Sequence, residues 1–223
     1  MPAIRLQYLF DPLCGWCYAS APALNALARE FPQWLEMRPS GLFAGPGARE
    51  LTPEWGDYAW ANDQRIAAMT GQVFSQAYRQ QILLGGTARF DSGPMNRALT
   101  VVQAIAPALE PGLLHRLQAA RYVDGLDTGA ASVVAHIAAA YLQENGHAAN
   151  ADDLALQLQS DAALAQQTRQ RLEENQSLMH QLGIRGVPQL LVRVDDAILP
   201  LNDGALYQGP DQLVAELRRL LRQ

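Results

Sequence analysis

The sequence contains no lysine; all seventeen of its basic residues are arginine. Twenty-two acidic residues outnumber them, for a formal net charge of −5. That balance offers no basic surface for nucleic acid or an anionic membrane, and neither is expected as a partner. In so alanine-rich a chain, the missing lysine reads as codon bias and carries no function. No apolar run approaches the ~20 residues of a membrane span. The start, Met-Pro-Ala-Ile-Arg, leads straight into an apolar stretch, without the basic region, apolar segment and small-residue cleavage site of an export signal. The expected setting is therefore the reducing cytoplasm, where a structural disulfide does not persist.

Cysteine is scarce too, with two residues in 223, and both stand in Cys14-Gly15-Trp16-Cys17. The pair follows an apolar run (Ile4, Leu6, Tyr8, Leu9, Phe10) and precedes a helical pattern. A two-residue gap in a first helical turn brings the sulfurs within bonding reach. Unpaired N–H groups and the positive end of the helix dipole favour Cys14 as thiolate. Cys17, behind it, is then the resolving thiol. Gly15 adds little bulk, and Trp16 supplies an apolar, partly exposed surface. The alternative use of such a pair, zinc binding, needs four ligands. The chain has no second cysteine pair, and His115, His136, His147 and His180 are scattered. Redox chemistry is the better reading, and no metal is expected.

Around the motif, residues 4 to 10 alternate and then run apolar, as in a central strand. Asp11-Pro12 ends it. Ala19, Ala23, Leu24, Leu27 and Ala28 repeat at helical spacing, and Pro22 is expected to kink that helix. Residues 33–38 predict a second strand. The Pro- and Gly-rich stretch from Pro39 to Gly47 marks a boundary. From about residue 50 to 182 the pattern is helical throughout, opening on Thr52 as N-cap before Pro53. The last helix of this block runs over 161–182 and stops at Gly183. Strand character returns over 188–194, then more weakly over 198–201 and 205–208, with turns between. Gly209-Pro210-Asp211 leads into an amphipathic helix with Leu213, Val214, Leu217, Leu220 and Leu221 inward. The order predicts a four-stranded α/β unit made of residues 1–45 and 184–223. An all-helical insertion of residues 46–183 interrupts it, long enough for its own core.

Three pieces together carry a resemblance to a known family: Phe10-Asp-Pro-Leu-Cys-Gly-Trp-Cys-Tyr18, Met95-Asn96-Arg-Ala-Leu99 and Gly183-Ile-Arg-Gly-Val-Pro188-Gln-Leu-Leu-Val192. The chain resembles the DsbA-like branch of the thioredoxin superfamily. That resemblance implies an α/β thioredoxin fold interrupted by a large all-helical insertion. It also implies a cis peptide bond at Pro188 beside the active sulfur, and a Val187 backbone offered to an extended substrate. Within the branch, the chain is similar to kappa-class glutathione transferases and 2-hydroxychromene-2-carboxylate isomerases, which share Asp-x-x-[Cys/Ser]-x-Trp-Cys-Tyr and a Gly-x-Asp before the final helix. By that likeness Asp211 holds the γ-glutamyl amine of glutathione and Asn96 faces the cleft. Read from the residues alone, Asp211 is an N-cap and Asn96 a helix-start residue.

Two departures shape the expected function. Those transferases usually carry Ser where this chain has Cys14, and exported oxidases usually carry Pro-His where it has Gly15-Trp16. The expectation is a cytoplasmic thiol–disulfide oxidoreductase cycling Cys14 and Cys17, with glutathione or another small or protein disulfide as partner. No tightly bound cofactor is expected; glutathione is a co-substrate. The alternative is a glutathione-dependent transferase or isomerase in which the pair does not cycle. A third class is a binding module without turnover. Among other residues, Asp11 reads as an Asp-Pro turn, and Trp55, Tyr58 and Trp60 as helix core or cleft wall. Arg169, Arg171, Glu173 and Glu174 read as a solvated face. Gly41–Gly47 lacks the Lys and Ser/Thr of a phosphate loop.

Overall fold

A computed structural model describes residues 3–86, 88–202 and 204–221. The central strand is β1 (Ile4–Phe10), whose Leu6, Tyr8, Leu9 and Phe10 are fully buried. Burying each such side chain contributes about 1.5–3 kcal/mol. The chain turns at Asp11-Pro12 into a short helix α1 (Gly15–Ala19), then α2 (Ala21–Glu30). The kink expected at Pro22 is a full break at Ser20, because Pro22 occupies the first turn of α2, where its missing N–H costs nothing. α2 returns the chain to β2 (Leu35–Pro39), parallel to β1, in register Tyr8 to Met37.

The middle of the chain is mostly helical: α3 (Pro53–Thr70), α4 (Gly93–Ile105), α5 (Glu110–Tyr122), α6 (Ala131–Glu144), α7 (Ala151–Ser160) and α8 (Ala162–Gln181). Thr52 caps α3 as expected, its Oγ1 accepting the Trp55 N–H at 3.3 Å. Two features depart from the helical expectation. A two-stranded ribbon joins β3 (Arg49–Glu50) to β4 (Arg89–Phe90), and a π-helical turn spans Tyr78–Leu83.

The chain then re-enters the sheet as β5 (Gln189–Val194), antiparallel to β1, followed by the hairpin strand β6 (Ala197–Leu199). The sheet order is β2-β1-β5-β6. The last expected strand segment, 205–208, is instead a 3₁₀ turn over Ala205–Tyr207, and β6 ends at Leu199. α9 (Pro210–Leu220) buries Leu213, Val214 and Leu217, while Leu220 and Leu221 are half-buried. This is a thioredoxin-like α/β fold with a helical insertion.

The insertion shares its main apolar cluster with the sheet, while a smaller one gathers Ile66, Phe74, Tyr78, Ile82 and Tyr122 around Tyr18 of α1. One apolar cluster runs from Tyr8, Phe10 and Leu27 through Met95, Leu99, Leu113 and Leu117 to Val134 and Leu158. Side chains of α8 also serve the outer edge of the sheet. Asn175 donates to the Pro39 carbonyl at 2.8 Å, Gln176 to Ser40 at 2.8 Å and Arg171 to Met37 at 2.9 Å. They cover an edge strand that would otherwise offer free backbone groups. Arg171 also pairs with buried Glu110 at 2.6 Å, so it is not part of a solvated face as its neighbours suggested. The helical spacing of 169–174 shows charge but not which turn faces the sheet.

Candidate active site

Cys14 is the N-cap of α1, with φ −82° and ψ 118°, and Cys17 lies in its first turn. Both are free thiols. Cys14 is 8% exposed and Cys17 1%, so only the first sulfur is open to a partner. The Cys14 thiol donates to the carbonyl of Val187 at 3.5 Å. The Val187–Pro188 peptide bond is cis, as the family likeness implied. Burial pushes the Cys17 thiol well above its ordinary value, with further upward contributions from its hydrogen bond to Cys14 and from the Cys14 charge.

The loop that presents Cys14 is held from three sides. Asp11, completely buried, accepts the Leu13 N–H at 2.9 Å on one oxygen. Its other oxygen accepts the Phe43 N–H at 3.1 Å and the Ser92 hydroxyl at 3.0 Å. From α5, Tyr122 donates to the Leu13 carbonyl at 2.8 Å and Gln118 to the Pro12 carbonyl at 3.4 Å. Asp11 is thus more than a turn residue: it ties the motif to the insertion.

A cleft of about 300 Å³ opens beside Cys14. Gly15, Trp16 and Val187 line it together with Trp55, Tyr58 and Asp63, so the aromatic pair of α3 is a cleft wall. Past Leu42, Gly186 and Val187 lies a neighbouring groove of about 460 Å³, walled by Gly41–Gly47 and the end of α8. Trp16 packs edge-on against Tyr207, ring centroids 5.4 Å apart, and its carbonyl accepts the Tyr207 hydroxyl at 3.2 Å.

Two expected contacts lie elsewhere. Asn96 is fully buried in α4 and donates to the Ser92 hydroxyl at 3.1 Å. It supports Asp11 through Ser92 and is not among the residues lining the cleft, a placement that suits the helix-start reading of Asn96. Asp211 is exposed in the first turn of α9, where Gly209 rather than Asp211 is the N-cap. It is not among the cleft-lining residues.

A buried polar cluster that no motif announces lies behind the cleft. Tyr78 donates to Asp63 at 3.0 Å. Arg121, fully buried, stands 5.8 Å from the Tyr78 ring centre and 5.6 Å from that of Phe90, and its nearest ion-pair partner is Asp127 at 3.9 Å. A signal for Asp63 existed. Gly56, Ala59, Asp63 and Ile66 fall on one helical stripe, and an acid on a buried stripe calls for a partner.

Three buried carboxyls are pushed up by burial: Asp11 to about 6, Asp63 to about 7, and Glu110 to about 7. Each binds its proton more tightly folded than unfolded, so its stabilising contribution is complete below pH 4 and is lost as pH rises toward 7. Each such loss is worth roughly 3–4 kcal/mol. The thermal midpoint is therefore expected to stand roughly 5 °C or more higher at pH 5 than at pH 7.5. A midpoint that rises over this interval would refute the carboxyl burial described.

Among the described residues, no cluster of His, Cys, Asp or Glu could hold a metal ion, and no helix is long and apolar enough to cross a membrane. Residues 5–213 match the DSBA-like thioredoxin domain, and the chain belongs to that family. It is similar to the cytosolic disulfide reductase DsbM from Pseudomonas aeruginosa, at 30% identity over 98% of each chain with a TM-score of 0.82. The structure of DsbM with GSH superposes with a TM-score of 0.79, at 29% identity over 98% of this chain and all of the other. A putative protein disulfide isomerase from Nitrosomonas europaea shares the fold, at 23% identity over 99% and 98% of the chains with a TM-score of 0.74. No curated protein matches the sequence significantly.

Proposed function

We propose that the protein is a cytoplasmic thiol–disulfide oxidoreductase that reduces disulfides through Cys14 and Cys17, with glutathione as the thiol that regenerates it. The observation that carries the reading is the asymmetry of the pair: Cys14 faces the cleft and the Val187 carbonyl, with Cys17 buried behind it. The likeness to DsbM, a cytosolic disulfide reductase also solved with GSH, supports the direction, the compartment and the partner.

In this mechanism the substrate disulfide enters beside Val187, and Cys14 thiolate attacks one sulfur. The new bond is a mixed disulfide, and the other substrate sulfur leaves with the electron pair. Cys14 then no longer bears charge, which removes one cause of the raised Cys17 value. Cys17 ionises more readily, attacks Cys14 and expels the second substrate thiol. Two glutathione thiols reduce the resulting Cys14–Cys17 disulfide and leave as glutathione disulfide.

The test is to trap the intermediate. Cys17→Ser treated with glutathione disulfide is expected to gain one glutathionyl group on Cys14, stable by mass spectrometry, while the wild type passes on to its internal disulfide. Absence of both species would overturn the proposal. A wild type that binds glutathione but never forms the Cys14–Cys17 disulfide would favour the transferase or isomerase chemistry.

A further inference from the structure

Thiol exchange leaves one chemical need that the cysteine pair does not meet. When Cys14 attacks, the departing alkyl sulfur takes the electron pair as a poorly stabilised thiolate, and a proton delivered at that moment speeds its departure. Asp63 is the one carboxyl among the residues lining the Cys14 cleft. Its Oδ1 lies so close to α1 that a β-carbon on Gly15 would stand 2.6 Å from it. The glycine between the cysteines is therefore the gap through which a carboxyl from the insertion reaches the motif. Tyr78 fixes the other oxygen.

We propose that Asp63 is the general acid of the exchange reaction, giving its proton to the sulfur that leaves when Cys14 attacks. The proposal rests on the function proposed above. The bond between Cys14 and one substrate sulfur forms, the substrate sulfur–sulfur bond breaks, and the leaving sulfur departs as a thiol. Asp63 is left as a carboxylate and regains its proton from solvent.

The surroundings suit an acid that changes charge near neutrality. Burial pushes Asp63 up to about 7, against the opposing hydrogen bond from Tyr78 and the charge of Arg121. Arg121 thus keeps the carboxylate accessible after proton transfer. The other groups facing Asp63 are Tyr122 from α5 and Cys14 from the start of α1. Tyr78 and Tyr122 do not compete as acids. Burial pushes both hydroxyls well above the ordinary tyrosine value, and both already donate, to Asp63 and to Leu13. Tyr58 stands at the exposed rim.

A general acid matters only for a leaving group that needs one. The experiment compares stopped-flow rates of the reduced protein with bis(2-hydroxyethyl) disulfide, whose thiol leaves poorly, and 5,5′-dithiobis(2-nitrobenzoate), whose thiolate leaves unaided. The ratio of the two rates cancels the thiolate fraction of Cys14. In the wild type this ratio is expected to fall about tenfold or more from pH 6 to pH 8.5, as Asp63 loses its proton. In Asp63→Asn it is expected to be low and independent of pH. A flat wild-type ratio, or a pH-dependent ratio kept by Asp63→Asn, would overturn the role. A merely structural residue would slow both disulfides alike and leave the ratio unmoved. Should Asp63→Asn fail to fold, the wild-type ratio decides alone. Exchange with neither disulfide in the wild type would overturn the oxidoreductase reading itself. Brisk exchange with a flat ratio would overturn Asp63 only.

Discussion

Cys14→Ser is expected to show no measurable disulfide exchange while keeping the wild-type fold. The nucleophile in this chemistry is a thiolate, and a serine hydroxyl is not ionised at neutral pH. Nothing else in the chain can replace it. Cys17 is the only other cysteine, and at 1% exposure it does not reach a substrate in the cleft. The substitution should be structurally mild, because a serine hydroxyl can still donate to the Val187 carbonyl that now accepts from the thiol. The check is turnover in an assay coupled to glutathione oxidation, alongside a thermal midpoint within a few degrees of wild type. Turnover surviving in Cys14→Ser would sink the assigned chemistry.

The second large effect belongs to Asp11. Its carboxylate accepts from three groups that come from different parts of the chain: the Leu13 N–H, the Phe43 N–H and the Ser92 hydroxyl. Asp11→Ala strands all three, and an unsatisfied buried donor costs about 1–3 kcal/mol. Some of that is returned, because the wild-type carboxylate is itself costly to bury at neutral pH. A net loss of about 3–5 kcal/mol is expected from denaturant unfolding at pH 7. The loss should be larger at pH 5, where the wild type no longer carries the cost of a buried charge. Asp11→Asn keeps one acceptor oxygen and should lose about half as much. A loss under 1 kcal/mol in Asp11→Ala would show that the network is slack.

These effects mark where the sequence could be read and where it could not. β1 and the cysteine motif were legible because each carries its signal locally, an apolar run and a fixed spacing, whereas the cis bond at Val187-Pro188 came from the family resemblance and not from a proline at a strand start. The cap at Thr52 was legible for the same reason, and Asp161, read as the first residue of its helix, is instead that helix's N-cap. Asp161 accepts the N–H groups of Ala163 and Leu164, both within three residues. What escaped depends on contacts between distant parts of the chain. Asp11 looks like a turn until Ser92 and Phe43 are placed beside it. Asn96 looks available to a substrate until α4 is packed into the core. Asp63 acquires meaning only when a π-helical turn brings Tyr78 to it and Gly15 lets α1 approach. The segment 205–207 carries strand-like residues yet forms a 3₁₀ turn beyond the edge strand β6.

The placement of β1 bears on how the protein is made. Its neighbour β5 is joined to it in register Tyr8 to Leu190, and the Cys14 thiol meets a carbonyl 173 residues further along. As the chain leaves the ribosome, β1 and the cysteine motif therefore emerge long before β5 and Val187 exist. Helical segments can form meanwhile from local contacts, but the sheet cannot close until the last fifth of the chain is free. Until then β1 and both cysteine thiols are open to whatever is nearby. A truncated or stalled product would consequently carry an exposed strand and a thiol without its cleft. Cys14 acquires its cleft only once Val187 has been made.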